Sequence, residues 1–435
     1  MRLSIIIAIC LFTLTVNGQA QDNEKKPFQI DGQILERGEY RHGHIVPLQE
    51  EQDAAAFITQ RVRLQASYKW ENLTMYAAIQ DVRTWGDTPQ VKAEDNHISL
   101  HEGWASYQYK NWNFKFGRQE LNYDNARFLG NLDWFMQGRA HDFALIKYEK
   151  GDHKLHFGGG YNQNGGTLPV AEQPYAVPNQ YKTALMLRYE GILKGFNYSF
   201  LAWNESRKIP SDPDADYYDN LTLGLPTLRY TFGKNILSGF AYYQTGDDVT
   251  GRSLSAYDIS AQYTRTLLND ENSGRKLRML AGFEILSGTD NGVTDENNSY
   301  NPLYGTNHLF NGYMDVFYVA NTHVNNVGLN DYYIKARYDF NKKFFSQLDY
   351  HYFQANATVL KDGKKMDSAL GSEIDLSLGY ILIPSISIQA GYSQLFHTDT
   401  YSQVKGGNLQ DTQNWAYLML IFRPNMPQKF IGILF

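Results

Sequence analysis

The chain has 435 residues, a formal net charge of −6 and a mean hydropathy of −0.48. That mild acidity argues against a nucleic-acid partner and against a basic membrane-surface protein. Beyond residue 20 there is no window of about eighteen apolar residues, which excludes a transmembrane helix.

Residues 1–20 read as a secretory signal. Arg2 supplies the positive start, an apolar run follows to Val16, and Gly18-Gln19-Ala20 offers small residues for cleavage. Its removal takes away Cys10, the only cysteine, so the mature chain has neither disulfide nor thiol chemistry. No Pro/Ser-rich linker or charge run divides the remainder, and residues 21–435 are expected to form one domain.

From Phe28 to Phe422 about eighteen strand-like segments follow one another, joined by connectors that alternate short and long. The short ones fall at 70–72, 110–112, 149–152, 191–195, 233–235, 341–343 and 383–385. The long ones fall at 42–55, 84–96, 124–138, 163–180, 207–220, 289–328, 356–368 and 398–411. A soluble sandwich has no reason to keep one end tight and the other loose. A barrel threaded through a bacterial outer membrane does, with short periplasmic turns and long extracellular loops. The fold class expected is therefore all-β, a transmembrane antiparallel β-barrel of about eighteen strands surrounded by outer-membrane lipid.

The segments alternate with period two. In 331–340, Tyr332, Ile334, Ala336, Tyr338 and Phe340 oppose Asp331, Tyr333, Lys335, Arg337 and Asp339. In 373–380, Ile374, Leu376, Leu378 and Tyr380 oppose Glu373, Asp375, Ser377 and Gly379. With 32 Tyr, 24 Phe and 7 Trp the chain is rich in rings. Tyrosines recur near strand ends (Tyr68, Tyr109, Tyr148, Tyr189, Tyr230, Tyr338, Tyr380), where an amphipathic ring suits the headgroup level. Pro226 predicts an irregularity in its strand. A bulge near Gly117 would turn Arg118 inward.

The polar face is heavily charged. Arg37, Glu39, Arg41, Arg61, Arg63, Arg188, Arg278, Lys335 and Arg337 share parity with small polar residues, and Glu102, Asp258, Glu284, Asp331, Asp349, Glu373 and Asp375 are the expected lumen acids. Rings of Arg and Lys in an aqueous channel attract anions, and opposing acids hold those side chains in place.

Four blocks carry a resemblance: 80–87 (QDVRTWGD); 100–104 (LHEGW); 117–121 (GRQEL), running on to Asp124, Arg127, Leu129-Gly130, Asp133-Trp134, Gln137-Gly138-Arg139 and Asp142; and 303–308 (LYGTNH) to 312–315 (GYMD). The chain resembles the alginate-export family of outer-membrane porins in these blocks. The resemblance implies an eighteen-strand channel whose arginine-lined constriction passes an anionic polysaccharide or oligosaccharide, alginate in that family, outward; whether a periplasmic export partner delivers it is left open by the sequence. It points to Arg118 and Arg139 at the constriction, with Glu120 and Asp142 as their carboxylate partners. Arg61, Arg63 and Arg337 join by strand position.

Three other readings compete. A general porin would show no sugar preference. A structural barrel would have a blocked lumen. An enzyme needs a Ser–His–Asp constellation, yet Ser346 and His351 lie on opposite faces of one strand, as do His141 and Asp142. The acidic runs 212–219 and 290–296 resemble loose calcium ligand sets but lack the Gly and closing Glu of a calcium loop, so neither a cofactor nor a resident metal is expected. The 289–328 loop is the first candidate for a lid or plug.

Overall fold

The computed structural model describes residues 27–91, 97–163, 180–208, 217–248, 250–426, 428–433 and 435. The signal assigned to residues 1–20 lies outside them, as do Asp212, Asp214 and Asp216 of the first acidic run.

Among the described residues eighteen strands form one sheet. They are β1 (Phe28–His42), β2 (Ala55–Trp70), β3 (Leu73–Thr84), β4 (Ile98–Tyr109), β5 (Trp112–Gln119) and β6 (His141–Lys150). Then come β7 (His153–Tyr161), β8 (Thr183–Leu193), β9 (Phe196–Lys208), β10 (Tyr217–Phe232), β11 (Asn235–Asp247) and β12 (Ser253–Asp270). The rest are β13 (Arg275–Leu286), β14 (Leu329–Asp339), β15 (Phe344–Gln354), β16 (Ala369–Ile383), β17 (Ile386–His397) and β18 (Gln413–Phe422). Each strand pairs antiparallel with the next. Closure comes from β1 against β18, in register from Ile34↔Phe422 to His42↔Asn414. Among the described residues no barrel strand is left with a free edge, as lipid requires, because an unpaired backbone group there costs several kcal/mol.

The two faces follow the sequence alternation. Ile34, Leu64, Met75, Ile79, Leu185, Leu187, Ile334, Leu348 and Leu418 stand exposed on the outside, where they meet acyl chains. Rings crowd the short-turn end: Trp70, Tyr109 and Trp112 are exposed, Phe196 stacks on Tyr230 at 4.0 Å, and Phe340 on Phe344 at 4.9 Å. This is an aromatic girdle at the periplasmic headgroup level. The protein is an outer-membrane barrel, and no helix among the described residues is long and apolar enough to cross a membrane.

The register explains the irregular positions. Around Pro226, β10 slips between Gly224 and Thr227 against both neighbours, because proline cannot donate to the ladder. The bulge expected at Gly117 instead lies in β4: Ala78 faces Glu102 and Ile79 faces Leu100, leaving His101 unopposed. Gly117 has φ +122, and a Cβ there would lie 2.3 Å from the Gly103 carbonyl oxygen, so only glycine fits.

The tightly packed core lies inside the cylinder. Phe128, Trp134, Tyr304, Met314, Val316, Phe317 and Tyr318, all from two long connectors, are buried with the wall residues Trp203, Phe353 and Trp415. Long loops that fold inward convert a channel into a plugged barrel.

Candidate functional site: the plugged lumen

The first plug segment runs from Glu120 to Ala140, between β5 and β6. Wall arginines fix it. Arg61, fully buried, donates to Asp133 Oδ1 at 2.6 Å and to the Met136 carbonyl at 3.2 Å. Arg37 donates to the Trp134 carbonyl at 2.9 Å, its guanidinium 4.4 Å from the Trp134 ring centre. Arg61 and Arg423 hold the Asp133 carboxyl well below the usual range, outweighing the opposing effect of burial. From the loop side, Arg127 reaches the wall and sits 3.2 Å from Asp258 and 2.6 Å from Glu284. Burial would discharge Arg127; the two carboxylates outweigh it and hold the guanidinium protonated.

The second plug segment is 287–328, between β13 and β14. Asn311 donates to Glu284 at 2.9 Å, and the Met314 amide to Glu373 at 2.7 Å. The Tyr304 hydroxyl donates to Glu205 at 2.6 Å and accepts from Arg207 at 2.5 Å. The two segments also grip each other. The Gly130 amide donates to the Tyr304 carbonyl at 2.9 Å, and a Cβ on Gly130 would lie 2.3 Å from Thr306 Oγ1. A short helix, α1 (Asp399–Lys405), capped by Thr398, lids the outer end: Tyr401 is buried against Phe317, and Lys405 donates to the Thr322 carbonyl at 3.0 Å.

The acids on the neighbouring strands β12 to β16 (Asp258, Glu284, Asp331, Asp349, Glu373 and Asp375) are all buried. Several serve the plug directly, and His351 and Lys335 meet Asp331 and Asp349 at 2.9 and 3.0 Å. This wall is covered by the loops.

Below the plug, toward the short-turn end, lies a cavity of about 640 Å³. Arg188, Arg229, Lys276, Arg278 and Lys335 line it with Asp124, Glu190, Glu284 and Asp331, together with Tyr333, Phe240, Phe310 and Phe435. Arg188 is paired with Asp124 and Glu190, and Arg278 with Asp339 at 3.5 Å. Arg229 and Lys276 have no carboxylate partner within ion-pair distance among the described residues. A second cavity of about 430 Å³ opens near the outer rim beside Arg37, Arg41, Phe57 and Thr84.

The structure separates the residues singled out by sequence. Arg118 and Asp142 pair at 3.1 Å, but on the outside of the barrel. Arg118 shares parity with exposed Phe116, whereas their neighbours Gln119 and His141 point inward and are buried. The expectation that these two line the lumen is corrected: no bulge at Gly117 inverts β5. Arg139 has no carboxylate partner among the described residues; it holds the carbonyls of Tyr304 and Gly305, tying the two plug segments together. Glu120 accepts from His101 at 2.8 Å and Asn131 at 2.9 Å, with Arg63 at 3.7 Å. Arg63 also donates to Gln80 at 2.7 Å. Arg337 lies toward the short-turn end, on Asp339 at 3.1 Å and 3.6 Å from the Phe345 ring centre. His101, Glu102 and Glu120 alone, among the described residues, bring three candidate metal ligands together, and Arg63 already occupies one side of that group. Sequence reasoning missed Arg127, Asp133 and Arg229. The first two stood in the quoted family block, without a sign of their partners.

A closed barrel with an apolar exterior, an aromatic girdle and a charged interior under inward loops defines an outer-membrane channel of the porin class. Residues 26–157 match the alginate export family model. The resemblance carried by the blocks between residues 80 and 142 therefore stands, while the 303–315 block lies outside the matched stretch. No curated protein matches the sequence. Among solved structures the chain is similar to OpdK from Pseudomonas aeruginosa, at 10% identity and TM-score 0.57, covering 91% of this chain and 98% of that one. It is similar to OccK9 (OpdG) of the same organism, at 12% identity and TM-score 0.58 over 91% and 98%. OpdQ aligns at 11% identity and TM-score 0.57 over 90% and 97%. At these identities the likeness is one of fold.

Proposed function

We propose that this barrel passes anionic saccharides of the uronate class across the outer membrane, through the space between the plug and the wall that bears the larger cavity. The observation that carries this reading is the pair Arg229 and Lys276, cations on the cavity wall with no carboxylate within ion-pair distance among the described residues. An unpaired cation in a narrow aqueous passage with low-dielectric walls attracts anions and raises their local concentration. Many of the acids that would oppose them are covered by loops or paired with Arg127, Lys335 and His351.

In this reading Arg61, Arg63, Arg139 and Glu120 act on the solute through the loop they hold, setting the width of the constriction. Arg337 stands at the periplasmic mouth. The alginate export match over residues 26–157 supports a polyanionic sugar. OpdK has been solved with vanillate, an aromatic carboxylate, which supports anion passage through a barrel of this shape.

Single-channel currents in planar bilayers test the reading. Under a salt gradient the reversal potential is expected to show anion preference, and uronate oligosaccharides are expected to interrupt the current. Replacing Arg229 and Lys276 by Gln is expected to weaken both effects. Equal permeability to both ions with no response to uronates would instead establish a general porin.

A further inference from the structure

The segment after the last barrel strand does not leave the barrel. Its described residues, 423–426, 428–433 and 435, turn back into the lumen and run along its inner wall from β1 to β13. Arg423, buried, donates to Gln33 on β1 at 3.0 Å and to Asp133 of the first plug segment at 2.6 Å. Ser387 on β17 donates to the Lys429 carbonyl at 2.6 Å. Two residues further up the same strand, Gln389 makes a reciprocal pair of bonds to Ile431: the Ile431 amide donates to Oε1 at 3.0 Å, and Nε2 donates to the Ile431 carbonyl at 2.7 Å. A side-chain amide here imitates a neighbouring strand's peptide group.

The wall is shaped to receive this segment. Phe430 packs edge-on against Phe345 at 4.9 Å, in a niche opened by Gly379, where a Cβ would lie 2.7 Å from the Phe430 ring. Gly432, at φ +69, lies so close under the plug that a Cβ would fall 2.2 Å from the Trp134 ring. Phe435 lines the larger cavity, 4.7 Å beneath the guanidinium of Arg278.

We propose that residues 423–435 are a releasable strap that closes the periplasmic side of the lumen and covers Arg278. Position argues for closure, since the strap spans the inner wall between the short-turn rim and the plug. Energetics argue for release. The strap's described residues belong to no ladder and rest on hydrogen bonds, the buried Ile431 side chain and the half-buried rings of Phe430 and Phe435. Segments held this way open at free energies well below that of the sheet. Arg423 links the strap to Asp133, so its departure also removes one of the two arginines paired with that carboxylate.

This inference rests on the channel reading, and the test separates the two. In the full chain with Cys10→Ser, the pairs Ser387→Cys with Lys429→Cys and Gln389→Cys with Ile431→Cys are oxidised, and folding is checked by heat-modifiable gel mobility. The expected result is a several-fold loss of channel openings on oxidation, restored by a thiol reductant. Gly432→Val, which evicts the strap from beneath Trp134 without touching the wall, is expected to raise open probability several-fold, as is deletion of residues 424–435. Full crosslinking with unchanged conductance overturns the strap and leaves the channel standing. Absence of current from every form, the deletion included, overturns both.

Discussion

The rings of Trp134 and His308 lie face to face, their centroids 3.9 Å apart and their planes within 3°. One belongs to the first plug segment and the other to the second, so the stack joins two loops that leave the barrel far apart in sequence. On its other contacts the indole meets the Arg37 guanidinium at 4.4 Å and Tyr417 edge-on at 5.2 Å. Trp134 is thus the residue on which wall, both loops and the strap converge.

Truncating it should loosen all four. Trp134→Ala removes a nearly fully buried indole at a cost of about 3–5 kcal/mol. The ladder of the barrel does not depend on that ring. The expected outcome is a folded barrel with unchanged far-ultraviolet circular dichroism, a lower melting temperature for the plug and a larger mean conductance in bilayers.

Arg127 offers a sharper energetic test. Its guanidinium lies between Asp258 and Glu284, and all three side chains are buried. Arg127→Met leaves two buried carboxylates without their cation, which costs about 3–5 kcal/mol. The triple variant Arg127→Met, Asp258→Asn, Glu284→Gln removes the stranded charges together with the cation and is expected to recover much of that loss. Thermal unfolding in detergent measures both. Equal destabilisation by the single and triple variants would show that the charges do not anchor the loop.

Some of this was legible in the sequence and some was not. Period two separates lipid-facing from lumen-facing positions without any knowledge of partners, which is why Arg61, Glu284 and Asp375 were placed inward from parity alone. The sequence reading puts Arg118 and Asp142 inward because parity in β5 is ambiguous across Gly117, while the extra residue, His101, sits in the neighbouring strand. Register between strands is a pairwise property that no single segment displays. The anchoring roles of Arg61 and Arg139 were hidden for a related reason: they hold carbonyls of loops whose inward fold depends on contacts up to 166 residues away. Loop length signalled a plug, but not what it would touch.

The plug should respond to acid. His44 and His308 flank the buried Asp315 carboxylate, at 3.3 and 2.8 Å, in the loops above β1 and within the second plug segment. Burial pushes His44 down to about 4 despite the neighbouring carboxylate, and it pushes His308 well below its ordinary value, helped by Arg37. Both are neutral in the closed plug at neutral pH. A released loop takes up a proton near its ordinary value of 6.5. The stability that His44 contributes is therefore complete above that pH, declines as pH falls from 6.5 toward 4, and is gone below 4. That amounts to at most roughly 3 kcal/mol. Open probability is expected to rise over this window, and His44→Asn should flatten the rise.

The outward pair provides a matched control for the lumen cations. Arg118 and Asp142 are both substantially exposed, at 37% and 59% of their side-chain areas, on the lipid-side surface near the long-loop rim. An exposed pair of this kind contributes about 0–1 kcal/mol, and its field reaches the lumen only across the sheet. Arg118→Ala is therefore expected to leave the melting temperature within a degree or two and the reversal potential unchanged. Arg229→Gln with Lys276→Gln removes the same sign of charge from the cavity wall and is expected to move the reversal potential toward zero. Measuring both variants under one salt gradient distinguishes a selectivity set by the lumen from one set by surface charge at the rim. A shift from Arg118→Ala as large as that from the cavity pair would place the selective charges outside the barrel.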